Sequence, residues 1–537
     1  LANVTGSRDD GSIVVRETCM GFNQRLQIQQ PIVSAQQMQT IETRLFTAGM
    51  PVAALMEKVG GLIAQRVQSL YPLSIAPQVG VLVGPGHNGA DALVVARELA
   101  LQGYRVQVYH PFTRSKALTA AHAQFATLLA ISFCEDISAL STCDVLLDGF
   151  FGFGLERRLE GEIAATLEAI NRWSIPVVSI DIPSGLHTDT GEVLGTALRA
   201  TYTLCLGLWK LGLCQDPALP WAGQLELVDF GIPESVVTEV LGTPLPVQRL
   251  TTSQILTQLP LVRERITHKY RQGNLLLIGG SQRYAGSVVL AGLGARASGV
   301  GMLTLLVPAS IKPLVVAQLP DAVVIAGTET SQGALERLPS DLNLDRFDAI
   351  AYGPGVTTEL PTVLQQVLPW DGPLLLDADG LNLLVDSGLE PLKIRLAPTV
   401  LTPHAGEFQR LFPALMDAPP ITATQQAAQA CQGWVVRKGA CTVIASPSGP
   451  VWVNTESTPA LARGGSGDVL TGLMGGLVAQ AMRQSQSLES AVQNAVWWHS
   501  QAGCWAAAQH TMLGVNGKTL ADALLPTLKT LIRQGSM

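Results

Sequence analysis

Two α/β domains in series, each built on a largely parallel sheet with helices against its faces, are predicted for this chain by three observations. Short apolar runs alternate with helix-period stretches in two separate series along the 537 residues, which is the rhythm of a doubly wound sheet. Glycine-bearing turns such as Gly84-Pro85-Gly86 and Gly353-Pro354-Gly355 follow the apolar runs. Between the series, Glu239 to Thr267 is richer in Pro, Thr and Gln and holds no sheet-like succession. The expected division is a loose extension over 1–30, a first domain over 31–238, a linker over 239–264 and a second domain over 265–537. The length exceeds what one core serves, and 47% hydrophobic residues, 14% charged residues and 52 glycines describe a compact, loop-rich chain rather than a disordered one.

Ser34-Ala35-Gln36-Gln37 is a capping box ahead of Met38, Ile41, Leu45 and Phe46, so a helix opens the first domain. Strands follow at Val79–Val83, Val106–Tyr109, Val145–Leu147 and Val177–Ile180, with helices at Ala90–Leu101, Leu118–Ala130 and Ile163–Arg172. The second series has strands at Asn274–Ile278, Leu303–Val307, Ala349–Ala351, Leu374–Leu376, Thr399–Leu401 and Trp434–Val436. Trp497, Trp498, His499 and Trp505 fall on a helical stretch and read as core packing.

A formal charge of −7 leaves no basic stripe, which argues against nucleic acid and for small-molecule ligands. The most apolar stretch, Ala285 to Val307, is interrupted by Arg296 and several glycines, so no membrane span is expected. Residues 1–30 lack the order of a signal peptide. Eight cysteines without a C-x-x-C pair or zinc-like spacing read as reduced thiols of a cytoplasmic protein.

Arg463-Gly464-Gly465-Ser466-Gly467-Asp468 runs into the helix-like Val469-Leu470-Thr471-Gly472. Backbone N–H groups at a helix N-terminus attract phosphate, and an acid beside them suits deprotonation of a hydroxyl that attacks a phosphoryl group. Lys438 is a cation suited to a nucleotide phosphate. His404 and Glu407, three apart, also admit a metal-ligand reading, weakened by the lack of a further nearby His; capping or substrate contact suits His404 better. In the first half, Gly84-Pro85-Gly86-His87-Asn88-Gly89 formally satisfies a dinucleotide fingerprint. No acid stands about twenty residues on to hold a ribose, so hydride transfer is disfavoured. Asn88, Asp148 and Ser184, at three strand ends, are oxygen donors that suit a hard cation. Asp181 is then free for proton transfer, although Asp148 and Asp181 also admit a helix-capping reading.

Gly84 to Asp91, Asp148 with Gly152-Phe153-Gly154-Leu155, Asp181-Ile182-Pro183-Ser184-Gly185 and Lys210-Leu211-Gly212-Leu213 together resemble the NAD(P)H-hydrate epimerase domain, a Rossmann-like parallel sheet, over roughly 30 to 237. The resemblance implies potassium at Asn88, Asp148 and Ser184. It implies hydrated dinucleotide against His87, Asn88, Gly89, Ala90, Asp91, Gly152, Phe153, Gly154, Leu155, Glu156, Arg157 and Arg158, with Asp181 at the reacting ring. The family's Asn-Asn-Gly-Gly-Asp-Gly run is His87-Asn88-Gly89-Ala90-Asp91-Ala92 here, and a Cβ at Ala90 is expected to crowd the substrate. Thr402-Pro403-His404-Ala405-Gly406-Glu407-Phe408 and Gly464 to Asp468, with Ile278-Gly279-Gly280-Ser281, resemble the ADP-dependent NAD(P)H-hydrate dehydratase domain, a ribokinase-like fold, over roughly 265 to 535. This implies hydrated substrate at Ser287, Gly355, His404 and Asp468, nucleotide at Lys438, Gly439, Ala440, Cys441, Thr442 and Gly467, and Asp468 as the base.

The resemblance thus implies repair of hydrated NADH and NADPH by epimerisation and by dehydration at the expense of ADP, with potassium in the first domain. Mg2+ is expected in the second from phosphoryl-transfer chemistry, and a homo-oligomer is expected. A ribokinase-like kinase for a small alcohol, or a dehydratase carrying a non-catalytic first domain, are the alternatives.

Overall fold

The computed structural model describes residues 25–535; residues 1–24, with most of the expected extension and Cys19, lie outside the described residues. Arg25 is anchored by Asp229, with Nη2 2.6 Å from Oδ1. Contacts divide the chain between Arg249 and Leu250 into two units. The stretch read as a linker holds regular structure: helix Glu234–Leu241 ends in it, and strand Val247–Arg249 and helix Thr252–Gln258 lie in it. One of its threonines is a helix cap, since the Thr251 side chain accepts from the Gln254 amide.

In the first unit the helix Ala35–Thr47 starts at the expected capping box, with Ser34 and Gln37 satisfying each other's amides. The strand just before it, Ile32–Val33, pairs in parallel with Trp209–Lys210. A seven-stranded sheet runs in the order Ser132–Cys134, Arg105–Tyr109, Gln78–Val83, Val145–Gly149, Val177–Ile180, Tyr202–Leu206, Gln224–Val228, and every neighbouring pair is parallel. Strands buried on both faces need near-continuous apolar runs, and Val79, Val81, Leu82, Val145, Leu146 and Leu147 are all fully buried. Chain order reverses between Gln78–Val83 and Val145–Gly149, so the loops after these strands part and leave a crevice at the sheet's carboxyl edge.

The second unit's sheet runs Val451–Asn454, Thr442–Ala445, Trp434–Arg437, Thr399–Leu401, Leu374–Leu376, Ala349–Tyr352, Asn274–Ile278, Met302–Pro308, Val323–Gly327. The first two pairings are antiparallel and the rest are parallel. Here the order reverses between Ala349–Tyr352 and Asn274–Ile278. Helix Ser466–Arg483 is buried along almost its whole length, as its mostly apolar and small residues require. It lies against helix Ala285–Ala297 so closely that a Cβ at Gly472 would stand 1.7 Å from the Ala291 carbonyl oxygen. Trp497 and Trp498 are core residues, as expected.

Candidate active sites

The loops leaving the first sheet's carboxyl edge enclose a cavity of about 900 Å³. His87, Asn88 and Asp91 enter it from the start of helix His87–Leu101, Gly152 to Glu156 from the loop after Val145–Gly149, and Asp181 from the end of Val177–Ile180. Of the residues expected to meet substrate, Gly89, Ala90, Arg157 and Arg158 do not line it. Ala90 instead packs beside Met56 and Val94 in a small apolar cluster, and Ala92 is buried with its methyl toward Gly149. The Cβ groups of Ala90 and Ala92 therefore fill core, not the cavity.

Asp181 holds a left-handed backbone (φ 68°), a strained conformation for a residue with a Cβ. Its Oδ1 lies 2.5 Å from Lys210 Nζ and accepts from the Leu206 amide at 3.2 Å, while Oδ2 accepts from the Phe153 amide at 3.1 Å. Lys210 is fully buried. Burial alone would lower its pKa, but the charge and hydrogen bond of Asp181, with Cys205 and Glu42, together outweigh that and hold it above the ordinary lysine value. Asp148 is also fully buried and accepts from Ser184 Oγ (2.5 Å), Ser184 N (2.8 Å), Ser179 Oγ (2.9 Å) and Phe150 N (3.3 Å). Burial pushes its pKa up against these bonds. The Asn88 side chain lies beside Gly152, and its Nδ2 is buried without a partner. The structure thus joins Asp148 directly to Ser184, with Asn88 on the neighbouring loop.

Glu42, which the sequence reading passed over, also lines this cavity. It follows Met38 by four residues, on or beside the buried stripe of its helix, and a charged residue in that register was the available signal. Burial pushes its carboxyl up to about 7.

In the second unit, Gly465 at φ 92° turns the chain into the helix that begins at Ser466, a conformation that favours glycine. Asp468 stands in the helix's first turn. Burial, and then the Asp377 charge, push Asp468 up to about 7 against the Ser287 hydrogen bond and Lys438. Asp377, which directly follows the strand Leu374–Leu376, is the centre of this cluster. Its Oδ1 accepts from Lys438 Nζ (2.7 Å) and Thr402 Oγ1 (2.7 Å), and its Oδ2 from Thr471 Oγ1 (2.6 Å). Against the penalty of burial, Lys438 and the two threonines hold Asp377 below the usual carboxylate range. Lys438 also approaches Glu407, 3.9 Å away.

Lys438 to Cys441 form the turn between the antiparallel strands Trp434–Arg437 and Thr442–Ala445. Gly439 and Ala440 are exposed there, whereas Cys441 and Thr442 are buried. Gly467 lies beside Lys438, since a Cβ on it would stand 3.4 Å from Nζ. His404 caps helix Ala405–Leu411 by accepting from the Gly406 amide, and Glu407 completes the capping box. Its side chain is otherwise 57% exposed, which leaves a face for a ligand. Gly355 packs against Tyr284 and Ser287, and Ser287 bonds Asp468. His499 does more than pack, because its Nε2 lies 2.9 Å from the Ser466 carbonyl oxygen, behind the glycine loop. Burial lowers its pKa to about 4, so the neutral ring holds the loop.

Comparison with known proteins matches both units. A family model described as YjeF-related protein N-terminus matches residues 52–212, and one described as NAD(P)H-hydrate dehydratase matches residues 275–526. A bifunctional NAD(P)H-hydrate repair enzyme of Synechocystis sp. is 53% identical over 93% of this chain and 95% of its own. The enzyme of the same name from Thermosynechococcus vestitus is 51% identical over 93% of this chain and 97% of its own. Among solved structures, an ADP/ATP-dependent NAD(P)H-hydrate dehydratase from Bacillus subtilis, co-crystallised with ATP and Mg2+, is 32% identical over 52% of this chain and 97% of its own, with a TM-score of 0.45. With identity above one half over nearly the full length of a relative, and the two family models falling in order on the two units, the chain belongs to the bifunctional NAD(P)H-hydrate repair enzyme family.

Proposed function

We propose that this chain restores hydrated NADH and NADPH: the first unit interconverts the R and S hydrates, and the second dehydrates the S form with ADP, releasing AMP and phosphate. One observation carries the dehydratase reading, namely a carboxylate with a pKa near 7, Asp468, in the first turn of a glycine-led helix beside Lys438. The hydroxyl on the reduced ring is a poor leaving group. Asp468 takes its proton while its oxygen attacks the β-phosphorus of ADP, and the Gly464 to Gly467 amides and Lys438 stabilise the transferring charge. The phosphate so formed leaves as the ring nitrogen's electron pair moves in. Asp377 does not itself react; it positions Lys438 and Thr471. A small-alcohol kinase would use the same loop but would leave the first unit's cavity without a role.

Mg2+ supplies charge neutralisation on phosphate oxygens when bound. Among the described residues no group of three or more His, Cys, Asp or Glu forms a metal cage, so the ion is read as arriving with the diphosphate, as Mg2+ commonly does. In the first unit, Asn88, Asp148 and Ser184 would hold potassium. Their all-oxygen chemistry fits, and a monovalent cation would offset the cost of burying a charged Asp148.

The test is Asp468→Asn in the full chain. Dehydration of the S hydrate is expected to fall by about 10²-fold or more while R-to-S conversion continues; simultaneous loss of both would refute independent sites.

A further inference from the structure

Epimerisation at a carbon that bears a hydroxyl needs a proton delivered to the departing oxygen on one face and a proton removed from the water that adds on the other. Asp181, paired with Lys210, is suited to the second task. We infer that Glu42 performs the first and is a second catalytic carboxyl of the epimerase unit, an inference that rests on the epimerase reading of this cavity. Glu42 lies before the stretch matched by the family model, residues 52–212.

The geometry is built rather than incidental. The helix that carries Glu42 is fixed at its start by the Ser34–Gln37 capping box, and the Ala35 amide donates to Asp189 Oδ1 at 2.7 Å. Immediately before it, Val33 is in register with Lys210 in a parallel pair. One short strand therefore ties the helix of Glu42 to the lysine that holds Asp181. Both carboxyls line the same cavity, and the charges of Lys210, Asp181 and Lys116 all act on Glu42. A carboxyl poised near neutrality, about 7 here, can both hold and release a proton. Asp91 and Glu156 also line the cavity; Asp91 is pushed well above its ordinary value by burial and then by the charges of Asp181 and Glu42. His87 is pulled below the ordinary histidine value by burial and then by Lys116.

The step balances. The Glu42 proton passes to the ring hydroxyl and the carbon–oxygen bond breaks, releasing water while the ring nitrogen's electron pair moves to the carbon. A water on the opposite face then adds, its proton passes to Asp181, and the nitrogen recovers its pair. Proton exchange with solvent resets both acids.

The experiment gives purified R hydrate and ADP to the full chain and follows reduced-nicotinamide absorbance, with S hydrate as a parallel substrate. Glu42→Gln is expected to slow the R reaction by about 10²-fold or more, leave the S reaction unchanged and keep the wild-type thermal midpoint. Glu42→Asp is expected to retain measurable conversion. The wild-type R reaction should decline as pH rises above about 7, and this alkaline limb should be absent from the residual rate of Glu42→Gln. An R rate in Glu42→Gln equal to wild type, or an alkaline limb that it retains, overturns the inference. So does loss of the R reaction in Asp91→Asn with Glu42→Gln unaffected. If Glu42→Gln melts early, the wild-type limb and its displacement in Glu42→Asp decide the matter. A wild-type chain that converts S but not R sinks the epimerase reading itself, a different outcome.

Discussion

The carboxyls of the second unit's cluster are set by their immediate neighbours. Asp377 and Asp468 share one cluster, yet Asp377 is held charged by Lys438 and two threonine hydroxyls while Asp468 is pushed up to about 7. A base with that pKa is charged above it and protonated below, so kcat/KM for dehydration is expected to fall about tenfold per pH unit once the pH is below roughly 6. A pH–rate profile on the S hydrate checks this, and a flat profile between pH 5 and 7 would remove Asp468 from the role. Lys210 has a structural consequence as well. Lys210→Met leaves Asp181 buried without its partner, and breaking such a pair costs about 3–5 kcal/mol. Denaturant unfolding should therefore show a selective loss in the first unit, larger than that of Lys210→Met combined with Asp181→Asn.

At the scale of elements, the helix Ser466–Arg483 ties loop chemistry to core packing. Gly472→Ala would gain about 1 kcal/mol of helix propensity but would drive a methyl into the Ala291 carbonyl, and overpacking of this kind costs about 1–3 kcal/mol. The net expectation is a lower thermal midpoint together with slower dehydration, because the same helix carries Asp468. His499 couples the loop to pH. Its folded pKa, about 4, lies below its ordinary 6.5, so the unfolded chain takes up this proton first and stability is lost as pH falls from 6.5 toward 4. The loss amounts to roughly 3 kcal/mol, and the difference between wild type and His499→Gln across that window measures it. Much of this level was legible in the sequence. Most of the buried parallel strands announced themselves as apolar runs, though Tyr202–Leu206, paired in parallel on both sides, was not among those expected, and the Ser34 and glycine-loop helix starts showed as motifs. Edge strands did not: Val323–Gly327 is largely open and Ser132–Cys134 is mostly exposed, so neither has the continuous apolar run of a buried strand. Roles that depend on long-range approach, such as Asp377 meeting Lys438 or Glu42 facing Asp181's cavity, have no local pattern to betray them.

At the scale of the whole molecule, the two units answer two parts of one chemical problem. On the proposed mechanism only one hydroxyl epimer presents its oxygen to Asp468, so a dehydratase alone would strand the other epimer of a damaged pool. In the proposed account the cavity with Asp181, Lys210 and Glu42 removes that restriction, and the methyls of Ala90 and Ala92 in the His87 to Ala92 run do not enter it, since both face the core. The account is tested most directly by recovery of reduced-nicotinamide absorbance from an equal mixture of R and S hydrates, followed over a time short compared with uncatalysed interconversion, with and without ADP. Complete, ADP-dependent recovery in wild type, stopping when the S form is exhausted in Asp181→Asn, is the predicted result. Recovery that stops at S exhaustion in wild type itself, or that proceeds without a nucleotide, would contradict it.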